Sequence, residues 1–148
     1  MPVIRITKEF RFEAAHALKG YDGPCRNIHG HSYKLSVTII GEPINTLDSP
    51  KKGMLMDFGD LKRIIRDSIT DPFDHALILG PGYKADDFMN SEDAFSNIIF
   101  VGYQPTSENL LIDFAGRIRA LLPPAVRLHS LRLRETATSY AEWFDEDN

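Results

Sequence analysis

Two stretches of the chain alternate between apolar and polar residues, and this pattern predicts two β-strands. In residues 3–16 and again in residues 29–41, most alternate side chains are apolar, aromatic or histidine, with mainly charged or small polar residues between them. A period of two places one face of each strand against a core. Residues 17–28 contain Gly20, Gly23 and Pro24, so they are expected to form a loop that joins the strands as an antiparallel pair.

Two amphipathic helices are predicted in the middle of the chain. The first follows Asp57, a suitable N-cap residue, and is expected to end at Pro72. The second begins near Thr106 and ends before Pro123. Between them, residues 80–104 show no clear pattern, and a connection of that length is usually functional or partly ordered on its own.

The last part of the chain predicts a second hairpin, which completes the fold class. The runs VRLHSLRLRE and TSYAEWF both read as strands. The order is β-β-α-α-β-β, an α+β fold with a largely antiparallel four-stranded sheet and two helices on one face. A small sheet leaves its edges open, and open edges favour pairing with other copies of the chain. We therefore expect a homo-oligomer.

The composition and net charge of the chain limit the classes of function that it can have. The 148 residues are 43% hydrophobic with a formal net charge of −4, which suits one globular domain and argues against nucleic acid as the main partner. The sequence contains no run of about 18 apolar residues, so it predicts no membrane span. The N-terminus lacks the apolar segment of a secretory signal, and a single cysteine forms no internal disulfide. A reducing, cytoplasmic location is the expectation.

Three histidines form the first candidate site. His29 and His31 lie two residues apart on a predicted strand, so their side chains point the same way, roughly 7 Å apart along the backbone. His16 ends the first strand on its apolar face. Three nitrogen ligands with an open fourth position are typical of catalytic Zn²⁺. The alternative is that these are core or loop histidines without a ligand.

Cys25, the only cysteine, lies four residues before His29. It could be a fourth zinc ligand in a closed structural site, or a free thiol beside the metal. A thiol near a cation can act as a base or nucleophile. The spacing does not separate these two interpretations.

Two further places carry candidate acid–base or binding groups. Asp74 and His75 are adjacent after the first helix, and an Asp that orients a His is a familiar acid–base pair, although neighbouring side chains on an extended segment diverge. Glu135 shares the apolar face of its strand and needs a partner there, such as a planar ligand edge with two N–H donors. The alternatives are a solvated Asp beside a surface His, and a Glu135 paired with Arg132 or Arg134.

The motif PTSEN opens the second helix. Thr106 is a good N-cap residue, and Glu108 lies in the first turn near the positive end of the helix dipole. This structural interpretation is sufficient by itself.

Taken in order, the motifs resemble those of the 6-pyruvoyltetrahydropterin synthase / 6-carboxytetrahydropterin synthase family. The resemblance covers nearly the whole chain, through FEAAH, CRNIHGHSYKL, GMLMDFGDLK, FDHALIL, PTSEN and RET. It implies the tunnelling fold (T-fold), in which subunits join their sheets into a barrel, commonly as a hexamer of two stacked trimers. It also implies that residues 1–148 form a single catalytic domain.

The resemblance assigns a role to each candidate residue. Zn²⁺ would be held by His16, His29 and His31, and the substrate would be 7,8-dihydroneopterin triphosphate. Cys25 would be the general base, kept charged by Asp74 and His75, which can lie across a subunit interface from it. Glu135 would anchor the pterin ring, with help from Thr106, Ser107 and Glu108.

The family contains more than one reaction, and the gap between Cys25 and His29 favours one of them. A gap of four residues is similar to that of the bacterial 6-carboxy enzymes of queuosine biosynthesis, whereas the animal 6-pyruvoyl enzymes have a longer gap. The chain departs from the family in two places. Residues 80–104 are longer than usual, and Arg26-Asn27 follows the cysteine where relatives often have Gly-Arg. A non-catalytic zinc protein and another pterin or purine enzyme of the same fold are the rival hypotheses.

Overall fold

The two alternating stretches form the longest strands of the sheet. A computed structural model describes residues 2–88 and 93–148. Strands β1 (Ile4–Ala17) and β2 (His29–Gly41) pair antiparallel from Ile4 opposite Gly41 to His16 opposite His29. The predicted loop between them contains a short 3-10 turn, Pro24–Arg26. The two alternating stretches therefore form one continuous antiparallel ladder, and the last residue pair of this ladder is His16 and His29.

Over the described residues the sheet has six strands in the order β4-β3-β1-β2-β5-β6, so the prediction of four strands was wrong in number. Strands β5 (Val126–Thr136) and β6 (Ser139–Phe144) form the expected hairpin. The additional strands β3 (Ala76–Leu79) and β4 (Ile98–Phe100) are parallel to β1 and to each other. All four residues of β3 are buried, so this strand shows no alternation, and β4 has only three residues.

The helical segments follow the predicted positions. Helix α1 (Phe58–Ile65) continues through a π-helical turn, Arg66–Thr70, into the short helix α2 (Asp71–Phe73). Pro72 lies in the first turn of α2, where a missing N–H costs little, so the helical path ends after Phe73 rather than at the proline. Helix α3 (Ser107–Leu121) begins at its Thr106 cap. In the described part of the chain, no helix is long and apolar enough to span a membrane.

The main core lies between the sheet and the helices. Phe12 stacks on Tyr33 across β1 and β2 with ring centroids 5.0 Å apart, and Phe114 of α3 meets Phe12 and Phe73 edge-on. A second, smaller apolar cluster forms around Ala17, Leu77 and Leu79. Its half-buried members come partly from the long connection: Ala15, Tyr83, Phe88, Phe95 and Ile98. Part of residues 80–104 therefore packs as a small core of its own beside β1 and β3.

Candidate metal centre and active site

The three predicted metal ligands come together at one end of the β1–β2 ladder. His16 and His29 face each other on its last rung, and His31 lies two residues further along β2 on the same face. Their ligand atoms all lie within 4.8 Å of one another. The ring centroids are 4.6 Å apart for His16 and His29 and 4.9 Å apart for His29 and His31. Strand pairing alone therefore assembles a three-imidazole cluster.

Backbone carbonyls fix the orientation of two of these rings. The Nδ1 atoms of His16 and His29 each lie 2.7 Å from a carbonyl oxygen, that of Pro105 and that of Asn27 respectively. A carbonyl only accepts hydrogen bonds, so Nδ1 carries the hydrogen in both rings, and in the neutral imidazole Nε2 is left with a lone pair. The two Nε2 atoms are 3.1 Å apart. Two lone pairs at that distance repel unless a proton or a metal cation lies with them, so the arrangement fits a cation.

The third ring completes the donor set. His31 Nε2 is buried and makes no hydrogen bond to any described residue, although it lies 3.0 Å from Glu135 Oε1. Burial lowers the pKa of His31, and the carboxylate of Glu135 opposes that shift. Burial thus favours the neutral imidazole, which is the form that binds a metal. Three neutral imidazoles are a donor set that suits Zn²⁺.

Glu135 faces the histidines, so the alternative pairing with neighbouring arginines is wrong. Its Oε1 lies 3.4 Å from His16 Nε2, and its Oε2 accepts a hydrogen bond of 3.2 Å from the Ser107 hydroxyl. The two arginines are engaged elsewhere, Arg132 with Glu142 and Arg134 with the carbonyl of Ala137. Hydrogen bonding to His16 is the main cause that lowers the pKa of Glu135, and burial opposes it.

Cys25 does not join the histidine cluster. It is a free, half-buried thiol in the turn Pro24–Arg26, and the group of mutually close ligand atoms contains the three histidines without it. Its carbonyl oxygen accepts a hydrogen bond of 3.0 Å from the N–H of Leu18, which closes the loop between β1 and β2. Of the two interpretations of Cys25, the structure supports the free thiol and not a fourth ligand.

Asp74 and His75 converge, although adjacent residues on an extended segment would diverge. His75 has a φ of 59°, and this left-handed backbone turns its ring back so that Nδ1 lies 3.1 Å from Asp74 Oδ2. Asp74 Oδ1 in turn accepts a hydrogen bond of 2.9 Å from the N–H of Glu13 in β1. That backbone bond is the main cause that lowers the pKa of Asp74. Within the described residues, no hydrogen bond joins this pair to Cys25.

A cavity of about 480 Å³ is bordered by one member of the Asp74–His75 pair and by one of the three histidines. Its walls include both His31 and His75, together with Glu13, Ser32 and Phe95. The imidazole of His75 is 77% exposed, so it is accessible from this space. The two halves of the predicted site therefore border a common volume large enough for a small organic molecule.

The residues of the PTSEN motif have different roles: one caps helix α3, and another contacts the candidate site. The Thr106 hydroxyl accepts a hydrogen bond of 3.2 Å from the N–H of Asn109, which is the N-cap role that its position predicted. Ser107 is buried and contacts Glu135, as described above. Glu108 is exposed in the first turn of α3. Of the three residues, only Ser107 bonds to another group of the candidate site.

Sequence patterns did not identify Tyr33 as a polar member of this region. Its side chain is 1% exposed, and its hydroxyl has no hydrogen-bond partner in the part of the chain that the structure describes. Its ring centroid lies 5.5 Å from that of His31. Burial, and to a lesser extent the charge of Glu135, raises the pKa of the hydroxyl. The alternation by itself assigned Tyr33 to the apolar face of its strand. The available sign that its side chain lies beside the histidines was its position two residues after His31.

Comparisons with known proteins agree with the geometry. A family model described as 6-pyruvoyl tetrahydropterin synthase matches residues 5–146. The chain is 36% identical over 143 residues to the 6-carboxy-5,6,7,8-tetrahydropterin synthase of Haemophilus influenzae, covering 95% of this chain and 99% of that one. It is 33% identical to the enzyme of the same name from Synechocystis, over 94% of this chain and 92% of that one.

The fold also matches solved structures. The 6-pyruvoyl tetrahydropterin synthase of Caenorhabditis elegans superposes with a TM-score of 0.67 at 24% identity, covering 97% of this chain and 96% of that one. The corresponding protein of Plasmodium vivax gives a TM-score of 0.70 at 18% identity. Both confirm the predicted T-fold. With the family model matched over almost the full length and the three histidines assembled as its motifs imply, the chain belongs to the 6-pyruvoyl tetrahydropterin synthase family.

Proposed function

We propose that the chain is a 6-carboxy-5,6,7,8-tetrahydropterin synthase. In this reaction 7,8-dihydroneopterin triphosphate and one water molecule are converted to 6-carboxy-5,6,7,8-tetrahydropterin, acetaldehyde and triphosphate. The observation that carries the proposal is the full-length similarity to relatives that bear this name, at 36% and 33% identity. We place the reaction in queuosine biosynthesis and in the cytoplasm, where the free thiol of Cys25 stays reduced.

The metal of the proposed site is Zn²⁺, held by the Nε2 atoms of His16 and His29 and by His31. The lone pairs that the Pro105 and Asn27 carbonyls leave on Nε2 support this assignment. When bound, the zinc supplies Lewis acidity, which makes protons near the substrate hydroxyls easier to remove.

The proposed proton transfers use Cys25 and the Asp74–His75 pair. Asp74 holds the hydrogen of His75 on Nδ1, so Nε2 is free to accept or return a proton. The Cys25 thiolate removes a proton from the substrate side chain. Since no hydrogen bond joins Cys25 to His75 among the described residues, we propose that the pair of one subunit serves the cysteine of another. The open edges of β4 and β6 offer the surfaces for such an oligomer, which we propose is a hexamer of two trimers.

Glu135 is the proposed anchor of the pterin ring. The Ser107 hydroxyl donates to one carboxylate oxygen, and the other lies 3.0 Å from His31 Nε2. With metal bound, both carboxylate oxygens can accept from the two N–H donors of the amino-pyrimidine edge. We propose that Thr106 and Glu108 border the same ring at the start of α3.

The test is turnover of 7,8-dihydroneopterin triphosphate by the zinc-loaded protein, with products identified by mass spectrometry. 6-Carboxy-5,6,7,8-tetrahydropterin with acetaldehyde supports the proposal. A 6-pyruvoyl product alone would overturn the 6-carboxy assignment while retaining the family site. Absence of turnover with zinc bound and Cys25 unreactive would favour a structural metal protein.

A further inference from the structure

Lys19 joins the loop that carries Cys25 to described residues of the long connection. The N–H of Leu18 bonds to the carbonyl of Cys25, so Lys19 lies at the point where this loop closes. The backbone carbonyl of Lys19 accepts a hydrogen bond of 3.1 Å from the side-chain amide of Gln104. Its ammonium group donates a hydrogen bond of 2.5 Å to the carbonyl of Gly82. Residues from both ends of the 80–104 segment therefore bind Lys19.

The Lys19 side chain is exposed but also contacts Tyr83 and Gly82 of the segment. Its Nζ lies 4.9 Å from the centroid of the Tyr83 ring, a distance at which a cation is attracted to the aromatic face. Gly82 has a φ of +99°, and a Cβ at this position would lie 2.8 Å from Lys19 Cδ. The segment therefore has a backbone conformation that favours glycine at Gly82, where the Lys19 side chain packs against it.

The segment itself is fixed on the sheet at both ends of this contact. Tyr83 packs against the small cluster of Ala17, Leu77 and Leu79, and β4 pairs with β3. Immediately after Gln104, the carbonyl of Pro105 orients the metal-ligand candidate His16. One short region, residues 104–105, therefore contacts both the loop of Cys25 and the histidine cluster.

We infer that the 80–104 segment positions Cys25, and that Lys19 and Gln104 are the positioning residues through which it acts. The inference rests on the proposed function for the role of Cys25 as the base. The contacts hold the Cys25 loop at a fixed place relative to the histidines. Their loss would allow the loop to open, which exposes the half-buried thiol and removes it from its working position.

The test measures the rate at which an aromatic disulfide reagent modifies Cys25 in the native protein. Cys25 is the only cysteine, so the signal belongs to it alone. Lys19→Met keeps the aliphatic stem but removes the ammonium group, and Gln104→Ala removes the amide. Each is expected to raise the rate roughly fivefold, the population change that follows from losing one hydrogen bond. Lys19→Arg is expected to restore the wild-type rate, and Lys84→Met is the control on the same segment.

Two outcomes overturn the inference. One is a thiol rate in Lys19→Met and Gln104→Ala that stays within about twofold of the wild type. The other is a rate that rises only in proportion to a loss of global stability, measured by urea unfolding of the same variants. In turnover assays, the variants are expected to lower kcat roughly fivefold at unchanged KM. Because the thiol rate needs no substrate, it decides the positioning role even if 7,8-dihydroneopterin triphosphate is not turned over.

Discussion

The imidazole of His75 turns back on its sequence neighbour, with Nδ1 3.1 Å from Asp74 Oδ2, because His75 adopts a left-handed backbone. The carboxylate of Asp74 also accepts the N–H of Glu13, so the pair is fixed to β1. A charged acceptor beside Nδ1 selects the tautomer of the ring that carries its hydrogen on Nδ1.

Asp74→Asn is expected to lower kcat/KM by roughly 100-fold, since the side-chain NH2 group can donate to His75 Nδ1 and so select the other tautomer of the ring. The fold should persist, since the amide oxygen can still accept the Glu13 N–H. The measurement is steady-state kinetics with 7,8-dihydroneopterin triphosphate. Asp71→Asn, a few residues earlier, is the matched control and should retain activity. Equal activity in both variants would contradict the relay role of Asp74.

The same substitution predicts a pH-dependent difference in stability. The pKa of Asp74 is lowered in the folded state, mainly by the Glu13 N–H, so its ionised form stabilises the fold. This contribution is fully present above the unfolded pKa of about 3.9 and is lost as the pH falls through the folded pKa. The wild-type advantage over Asp74→Asn in the free energy of unfolding should be constant from pH 7 to about pH 5 and shrink below about pH 4. Urea unfolding across this range measures it, and an advantage that grows on acidification would contradict the assignment.

Removing one imidazole should abolish stoichiometric metal binding. His29→Ala is expected to weaken zinc affinity by more than about 100-fold, beyond the usual cost of losing an outer-shell partner. Zinc content after dialysis, measured by mass spectrometry, should fall from one per chain to near zero. His129→Ala is the control and should retain the metal, because His129 bonds to Ser130 and lies outside the cluster of His16, His29 and His31. Chelation of the wild type should lower its melting temperature, as the facing Nε2 atoms lose their cation.

Tyr33→Phe tests the buried hydroxyl without a partner. An unsatisfied buried hydroxyl is costly, so its removal is expected to raise the free energy of unfolding of the metal-free protein by about 1 kcal/mol. Urea unfolding measures this change, and Tyr140→Phe at an exposed position should have no effect. A loss of stability in Tyr33→Phe would show that the hydroxyl has a bound partner in solution.

Two substitutions of Thr106 can separate its role as the N-cap of α3 from its proposed role in substrate binding. Thr106→Ala should cost about 1 kcal/mol through loss of the bond from the Asn109 N–H, whereas Thr106→Ser should keep it. The measurement combines urea unfolding with KM. If both variants raise KM while only Ala lowers stability, Thr106 contacts the substrate through its methyl group; unchanged KM in both would remove it from the substrate site.

The predictable part of the fold is the part where one face is buried and the other exposed. The alternation in β1, β2 and β5 gave their faces correctly, and with them the convergence of His16 with His31. Strand β3 was hidden because both of its faces are covered, which removes the period of two. Strand β4 was hidden because three residues are too few to show a pattern.

The missed parts of the site depend on backbone geometry between distant residues. The convergence of Asp74 and His75 follows from a φ of 59°, which residue type does not indicate for histidine. The carbonyl of Pro105 reaches His16 across 89 positions of sequence, and any residue could supply that oxygen. The alternation also gave no sign that the Tyr33 hydroxyl would lack a partner.

The groups that orient His16 and His29 are peptide oxygens of Pro105 and Asn27 rather than side chains. Point substitutions at positions 105 and 27 therefore change the side chain while leaving the acceptor in place, provided the backbone keeps its path. Most single-residue substitutions at these two positions should therefore leave the ring orientations of the cluster unchanged. Insertions or deletions near them move the oxygen itself, so the metal centre should tolerate exchange of residues there far better than a change of loop length.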